Sequence, residues 1–117
     1  MNKKKKIFII ILWVFVIGLI LTPFLYVEVN KAIYKHRVMD YLIEEKDYEK
    51  DEIQSVKGVW GLKAPAFFAT VVFKNEPYVE YTYFAHNEVI QFEYEITEEG
   101  IQKGIVENDL INYESRY

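Results

Sequence analysis

The chain has 117 residues, 51% of them hydrophobic, with a formal net charge of −4: enough for one domain and no more. It contains no cysteine, which excludes disulfides, thiol nucleophiles and cysteine-based metal sites together. Whatever core it builds must hold without covalent staples.

In chain order, the first element is residues 7–27, a run of 21 residues without charge. At a rise of about 1.5 Å per residue, such a helix is roughly 31 Å long, the thickness of the hydrocarbon layer of a bilayer. A soluble helix of that length would keep one polar face towards water, so the run reads as a transmembrane helix. Lys3, Lys4, Lys5 and Lys6 precede it; ten basic and all eighteen acidic residues follow it, a net charge of −8. Lysines beside a span stay on the cytoplasmic side. The expected arrangement is a basic cytoplasmic segment at 1–6, a single pass through the cell membrane at 7–27, and an extracytoplasmic domain at 28–117. Lys31, Lys35 and Arg37 lie just beyond the span and oppose that asymmetry, but the four-lysine block lies closest and emerges first.

A cleaved secretory signal is the competing reading of a basic start and an apolar run. Signal segments have apolar cores of roughly 7–15 residues and end in a small-x-small cleavage site. Here the run is longer and ends Thr22-Pro23-Phe24-Leu25-Tyr26-Val27, with no suitable small pair and no following cysteine for lipid attachment. An uncleaved signal-anchor is expected.

Residues 28–46 continue as a helix. Tyr34, Val38, Tyr41 and Leu42 fall at i, i+4, i+7 and i+8, while Lys35, Arg37, Asp40, Glu44 and Glu45 fall mostly off that stripe. Nothing between Val27 and Val29 breaks a helix, so the membrane helix is expected to run straight into the domain, with Pro23 its one kink. The charged stretch 47–52 ends it. Residues 53–60 read as a weak strand, and Gly58, Gly61 and Pro65 punctuate a loop. Residues 66–74, 79–85 and 89–96 read as clearer strands, with turns at Asn75-Glu76-Pro77 and His86-Asn87-Glu88.

The alternation implies a register. A two-residue turn at Asn87-Glu88 pairs Ala85 with Ile90, Tyr83 with Phe92, Tyr81 with Tyr94 and Val79 with Ile96, all on one apolar face. The other face sets Phe84 opposite Gln91, Thr82 opposite Glu93 and Glu80 opposite Glu95. A five-residue loop at 74–78 pairs Phe73 with Val79 and Val71 with Tyr81. The expected fold is α+β: a helix, 28–46, packed on a small antiparallel meander of three to four strands as its only cover. An acidic tail from Thr97 is partly ordered around 105–113.

Catalytic side chains are sparse. The serines are Ser55 and Ser115 and the histidines His36 and His86, and no nucleophile elbow surrounds either serine. Glu80, Glu93 and Glu95 share the outer sheet face. Carboxylate pairs cleave glycosides when they flank a bond, and with His86 they offer oxygen and nitrogen ligands to a divalent cation. The same residues also make an ordinary solvated face that resists aggregation, and no EF-hand or His-x-x-x-His spacing is present. His86 lies at a turn, where a polar residue needs no further reason. No glycine-rich phosphate loop is present, and a domain at −8 repels nucleic acid. Phe68, Tyr78 and Phe84 fall on the outer face with the glutamates, where exposed aromatics anchor protein partners or pack under the acidic tail.

The segments NKAIYKHRVMDYLIEEKDY (30–48) and FFATVVFKNEPYVEYTYFAHNEVIQFEYE (67–95), behind a lysine-rich start and an apolar span, give the chain a family resemblance. It resembles the uncharacterised DUF 3139 family of small Firmicute membrane proteins over nearly its whole length, most specifically at VVFKNEPYVEYTYF (71–84) and HNEVIQFEYE (86–95). The family's helix-ending Lys-Gly-Tyr has Asp47 in place of glycine, which counts against a left-handed cap there. The family has no assigned activity, so the resemblance implies no catalytic residues.

The leading functional expectation is a non-enzymatic, membrane-anchored accessory or regulatory module without a cofactor. Its partners are the lipid bilayer, through 7–27, and a membrane or cell-surface protein or peptide, met by Phe68, Tyr78, Glu80, Phe84, Glu93 and Glu95. The alternative is an extracytoplasmic enzyme or cation-binding domain using the acidic face. A third possibility is a regulator acting through the membrane helix alone.

Overall fold

A computed structural model describes residues 2–61 and 66–114. Helix α1, Lys3–Asp40, is capped by Asn2, whose Oδ1 accepts from the N–H groups of Lys4 at 2.7 Å and Lys5 at 3.3 Å. It remains helical through Pro23. Its large apolar residues from Ile7 to Tyr26 are open to the surroundings, Phe8 at 66% and Phe24 at 67%. From Val27 onward the same helix enters the core, with Tyr34 and Val38 buried.

A wide π turn, Tyr41–Glu45, extends α1 and buries Leu42, completing the expected stripe. Asp47 then takes φ +60°, and the Tyr48 N–H reaches back to the Leu42 carbonyl at 2.9 Å. The left-handed cap is therefore present despite the aspartate. Aspartate is one of the few residues besides glycine that enters this region, because its short polar side chain bonds locally.

Four antiparallel strands follow in the order β1-β2-β3-β4: β1 Ile53–Trp60, β2 Phe67–Phe73, β3 Glu76–Phe84 and β4 Ile90–Ile96. Pro65, assigned to the β1–β2 loop, and Ser115 lie outside the described residues. In β2, Phe67, Ala69, Val71 and Phe73 are buried and the residues between them are not. Gly58 of β1 meets the helix backbone: a Cβ there would stand 2.1 Å from the Lys31 carbonyl oxygen. Only glycine lets strand and helix approach so closely.

The expected register holds for Val79–Ile96, Glu80–Glu95, Tyr81–Tyr94, Thr82–Glu93 and Val71–Tyr81. It fails at both turns. The β3–β4 connection is not a two-residue turn at Asn87-Glu88 but runs from Ala85 to Val89. The Arg37 guanidinium donates to the Ala85 and His86 carbonyls at 2.9 and 3.2 Å and holds them out of the ladder. A bulge in β4 absorbs the difference. Tyr83 therefore faces Gln91, Phe84 faces Ile90, and Phe92 is a half-buried bulge residue instead of a core partner of Tyr83. The β2–β3 turn is tighter than expected, Lys74-Asn75, so Phe73 faces Glu76 and not Val79. Glu76 and Pro77 belong to β3, which shifts register between Val71 and Phe73.

Helix α1 packs across β1 and β2, but it is not the only cover. The inner face of β3 and β4 lies under the chain after β4. Thr97 caps a short helix α2, Glu98–Gln102, by accepting from the Gly100 N–H at 3.2 Å. A 3-10 turn, Glu107–Asp109, leads into an extended stretch ending at Glu114. Ile105 and Leu110 pack on the core, and Asn112 is buried. One layer of cover is thus helix and the other is tail.

Candidate interaction surfaces

The outer sheet face gathers the side chains singled out from sequence. The pairings Glu80–Glu95, Thr82–Glu93, Thr70–Thr82 and Val59–Phe68 put Phe68, Tyr78, Glu80, Phe84, Glu93 and Glu95 on one side of the sheet, because residues two apart in a strand share a face. Phe68, Tyr78, Glu80 and Phe84 are half-buried; Glu93 and Glu95 are exposed. Among the described residues, none of the three glutamate carboxylates has a hydrogen bond or ion pair. Lys103, the residue after α2, lies over the Tyr78 ring, 4.2 Å from its centroid, and donates to its hydroxyl, so that part of the face is already occupied. The hydrogen bond that Lys103 donates to the Tyr78 hydroxyl raises the Lys103 pKa. Phe84 stacks on His86 with centroids 6.0 Å apart, and the His86 Nδ1 lies 3.4 Å from the Tyr34 hydroxyl. His86 thus contacts Phe84 and Tyr34, and among the described residues it forms no metal-ligand group with the glutamates.

A cleft of about 640 Å³ opens between the C-terminal end of α1 and the β3–β4 connection. Arg37, Asp40, Glu44, Glu45 and Glu88 line it, and neither His86 nor any of Glu80, Glu93 and Glu95 does. Arg37 is committed to the two backbone carbonyls described above. Among the described residues, no three His, Asp or Glu side chains converge on a point where a metal ion would sit.

The densest polar geometry lies on the inner face, beneath the tail. Buried Glu76 accepts from the Tyr81 hydroxyl at 2.6 Å, the Ile111 N–H at 2.7 Å, the Asn112 N–H at 3.1 Å and the Asn112 amide at 2.8 Å. Gln91 donates to the Tyr83 hydroxyl and the Asn112 carbonyl and accepts from the Glu114 N–H. Tyr48 donates to the Asn112 Oδ1 at 2.8 Å, and the Tyr41 and Tyr83 hydroxyls both donate to the Glu114 carboxylate. Lys46 stands 3.5 Å from that carboxylate. Burial, followed by the Glu114 carboxylate, pushes the Tyr41 and Tyr83 pKa values up; burial, followed by Glu76, does the same for Tyr81. No buried polar side-chain atom among the described residues is left unpaired. The arrangement fastens the tail to the inner face of the sheet.

The family model described as a protein of unknown function (DUF3139) matches residues 4–83. The chain belongs to the DUF3139 family. No curated protein and no solved structure matches it. The DUF3139 match takes in α1, β1, β2 and most of β3, and so includes Glu76, Phe68, Tyr78 and Glu80. Gln91, Asn112 and Glu114 lie beyond the matched segment.

Sequence reasoning missed the inner network of this DUF3139 chain for an identifiable reason. Glu76, in Asn75-Glu76-Pro77, reads as a turn residue, and only the two-residue length of the actual turn brings it inward opposite Phe73. Strict alternation puts Gln91 on the outer face, and the β4 bulge turns it inward. The one available signal is polarity in the tail: Asn112 and Glu114 flank Tyr113 after a stretch with apolar Ile105, Leu110 and Ile111.

Proposed function

We propose that this DUF3139 chain is a membrane-anchored, non-enzymatic module that holds its domain outside the cytoplasm and binds a protein or peptide there. The observation that carries the reading is the division of α1. Residues 3–45 form a continuous helical stretch that is long and apolar enough to cross a membrane. The large side chains of its apolar first part are exposed, and its second part belongs to the domain's own core. Exposing that much apolar surface to water is unfavourable by about 25 cal/mol per Å², and a bilayer removes the cost. A core helix of a soluble protein would have its apolar residues buried against its own chain. Lys3, Lys4, Lys5 and Lys6 favour an inside N-terminus.

The outer sheet face supports the binding part of the reading. Glu80 and Glu95 face each other, with Glu93 beside them, and like charges across a ladder destabilise it unless something else compensates. Phe68 and Phe84 supply apolar contact among them. A partner with basic side chains set around an apolar centre would complement this face. The cleft lined by Arg37, Asp40, Glu44, Glu45 and Glu88 does not include these carboxylates.

Two measurements test the proposal. A reporter active only in the cytoplasm, fused after Tyr117, should be silent; activity would overturn the topology. A photo-crosslinking residue placed at Phe84 in native membranes should give a discrete adduct, lost when Glu80, Glu93 and Glu95 are together changed to lysine. Equal labelling from Lys50, far from this face, would remove the case for a specific partner.

A further inference from the structure

Ring contacts fix which end of the sheet faces the apolar half of α1. The Tyr26 ring, one residue before the end of the apolar run, meets Phe67 edge to face with centroids 6.0 Å apart, and the Tyr34 ring lies 5.7 Å from the same phenyl. At the other end of β2, Phe73 stacks on Tyr48 at 4.7 Å. β2 therefore runs away from the apolar half of α1 and β1 runs towards it. Their connection begins with the Gly61 N–H bonded to the Ala66 carbonyl at 2.8 Å, at the level where the apolar run ends. Trp60 is the last residue of β1 and pairs with Phe67. It lies on the helix side of the sheet, the side on which Gly58 touches Lys31, yet it is 46% exposed.

Charge singles out the same hairpin. Residues 53–73, which span β1 and β2, contain no aspartate or glutamate, although residues 28–117 carry a net charge of −8. An anionic membrane surface repels the acidic remainder of the domain and not this part. Tryptophan and tyrosine collect at the level of lipid headgroups, where the ring is half in hydrocarbon and its polar atom is wet.

We propose that the β1–β2 end of the sheet is a lipid-docking surface, with Trp60 and Tyr26 seated in the headgroup region of the bilayer that α1 crosses. The inference rests on the membrane-anchor reading above and adds to it. The domain is held against the bilayer at a fixed height and does not swing on a single helix, so its outer face is displayed at a defined distance from the surface.

The chain has two tryptophans, Trp13 in the apolar run and Trp60, and each reports one half of the argument. The full-length chain is reconstituted in phosphatidylcholine–phosphatidylglycerol vesicles as two variants. Trp13→Phe leaves Trp60 as the sole emitter and changes nothing in the domain; Trp60→Phe leaves Trp13. Quenching is compared between phospholipids brominated near the headgroup end and near the tail end of the acyl chain, and with aqueous acrylamide. Trp60 emission should be blue-shifted, lost more to the shallow bromines than to the deep ones, and shielded from acrylamide. Trp13 should be lost more to the deep bromines. Trp13 quenched by bromolipid with Trp60 quenched only by acrylamide overturns the docking surface and leaves the anchor standing. Trp13 untouched by either bromolipid overturns the anchor, and the docking surface with it.

Discussion

Asn112 turns both its backbone N–H and its side-chain amide onto one oxygen of Glu76, at 3.1 and 2.8 Å, across 36 residues of chain. That carboxylate ties the first residue of β3 to the tail and makes the tail a structural layer of the domain. Its partners are neutral donors throughout, the Tyr81 hydroxyl and two backbone N–H groups among them. Charge-assisted bonds of this kind compensate the burial of an anion without a cation beside it.

Replacing Glu76 by glutamine should therefore cost about 1–3 kcal/mol, because an amide offers one accepting oxygen and turns its N–H₂ towards donors. Thermal melts of the full-length chain in detergent should show the loss, with protease cutting between Leu110 and Glu114 at lower enzyme concentration. Glu95→Gln, on the outer face, should stay within about 0.5 kcal/mol. Equal effects from the two changes would mean that the tail is not fastened at Glu76.

The bulge in β4 redistributes the core. Phe73, fully buried between Tyr48 and Tyr81, should cost about 3–5 kcal/mol on change to alanine. Phe92, half-buried at the bulge, should cost about 1–2 kcal/mol, scaled from full burial of a large side chain. Glu93→Ala should change stability by no more than about 0.5 kcal/mol. A Phe92→Ala loss as large as that of Phe73→Ala would restore Phe92 to the core and remove the bulge.

Asp47 occupies a left-handed position at φ +60°, so Asp47→Gly should stabilise the chain by about 0.5–1 kcal/mol by relieving the cost of that conformation. Asp47→Ala, which keeps the strain and loses the polar side chain, should melt below the parent. Chemical denaturation with an unchanged slope would assign both shifts to the cap.

Alkaline pH should loosen the domain. Tyr41, Tyr48, Tyr81 and Tyr83 are held above the ordinary 10.0, by burial first and then by Glu114 or Glu76. Below pH 10 these tyrosines are protonated whether folded or not, and their contribution is fully present. Above it the unfolded chain releases protons that the folded chain keeps, so stability falls as pH rises. Melting temperature should drop above pH 10, with a further rise in phenolate absorbance, from the buried tyrosines, at the unfolding transition. Tyr48→Phe should make the decline shallower.

Composition and periodicity alone determined the apolar span, its junction with the domain helix, the Tyr34, Val38 and Leu42 stripe, and the pairing of β3 with β4 from Val79 to Thr82. These follow from local rules: a helix must bury one stripe, and a strand with one covered face must alternate. The outer carboxylates were legible for the same reason. Tertiary structure alone decided the rest. Arg37, fixed on α1, lengthens the β3–β4 connection by binding its carbonyls, and a short turn at Lys74-Asn75 swings Glu76 inward. One inserted residue exchanges Phe92 for Gln91. Each is a displacement of one to three residues, and in a period of two a single step moves a side chain to the opposite face. The inner face of β3 and β4 thereby became polar enough to require Asn112 and Glu114, so the tail and not the helix covers it.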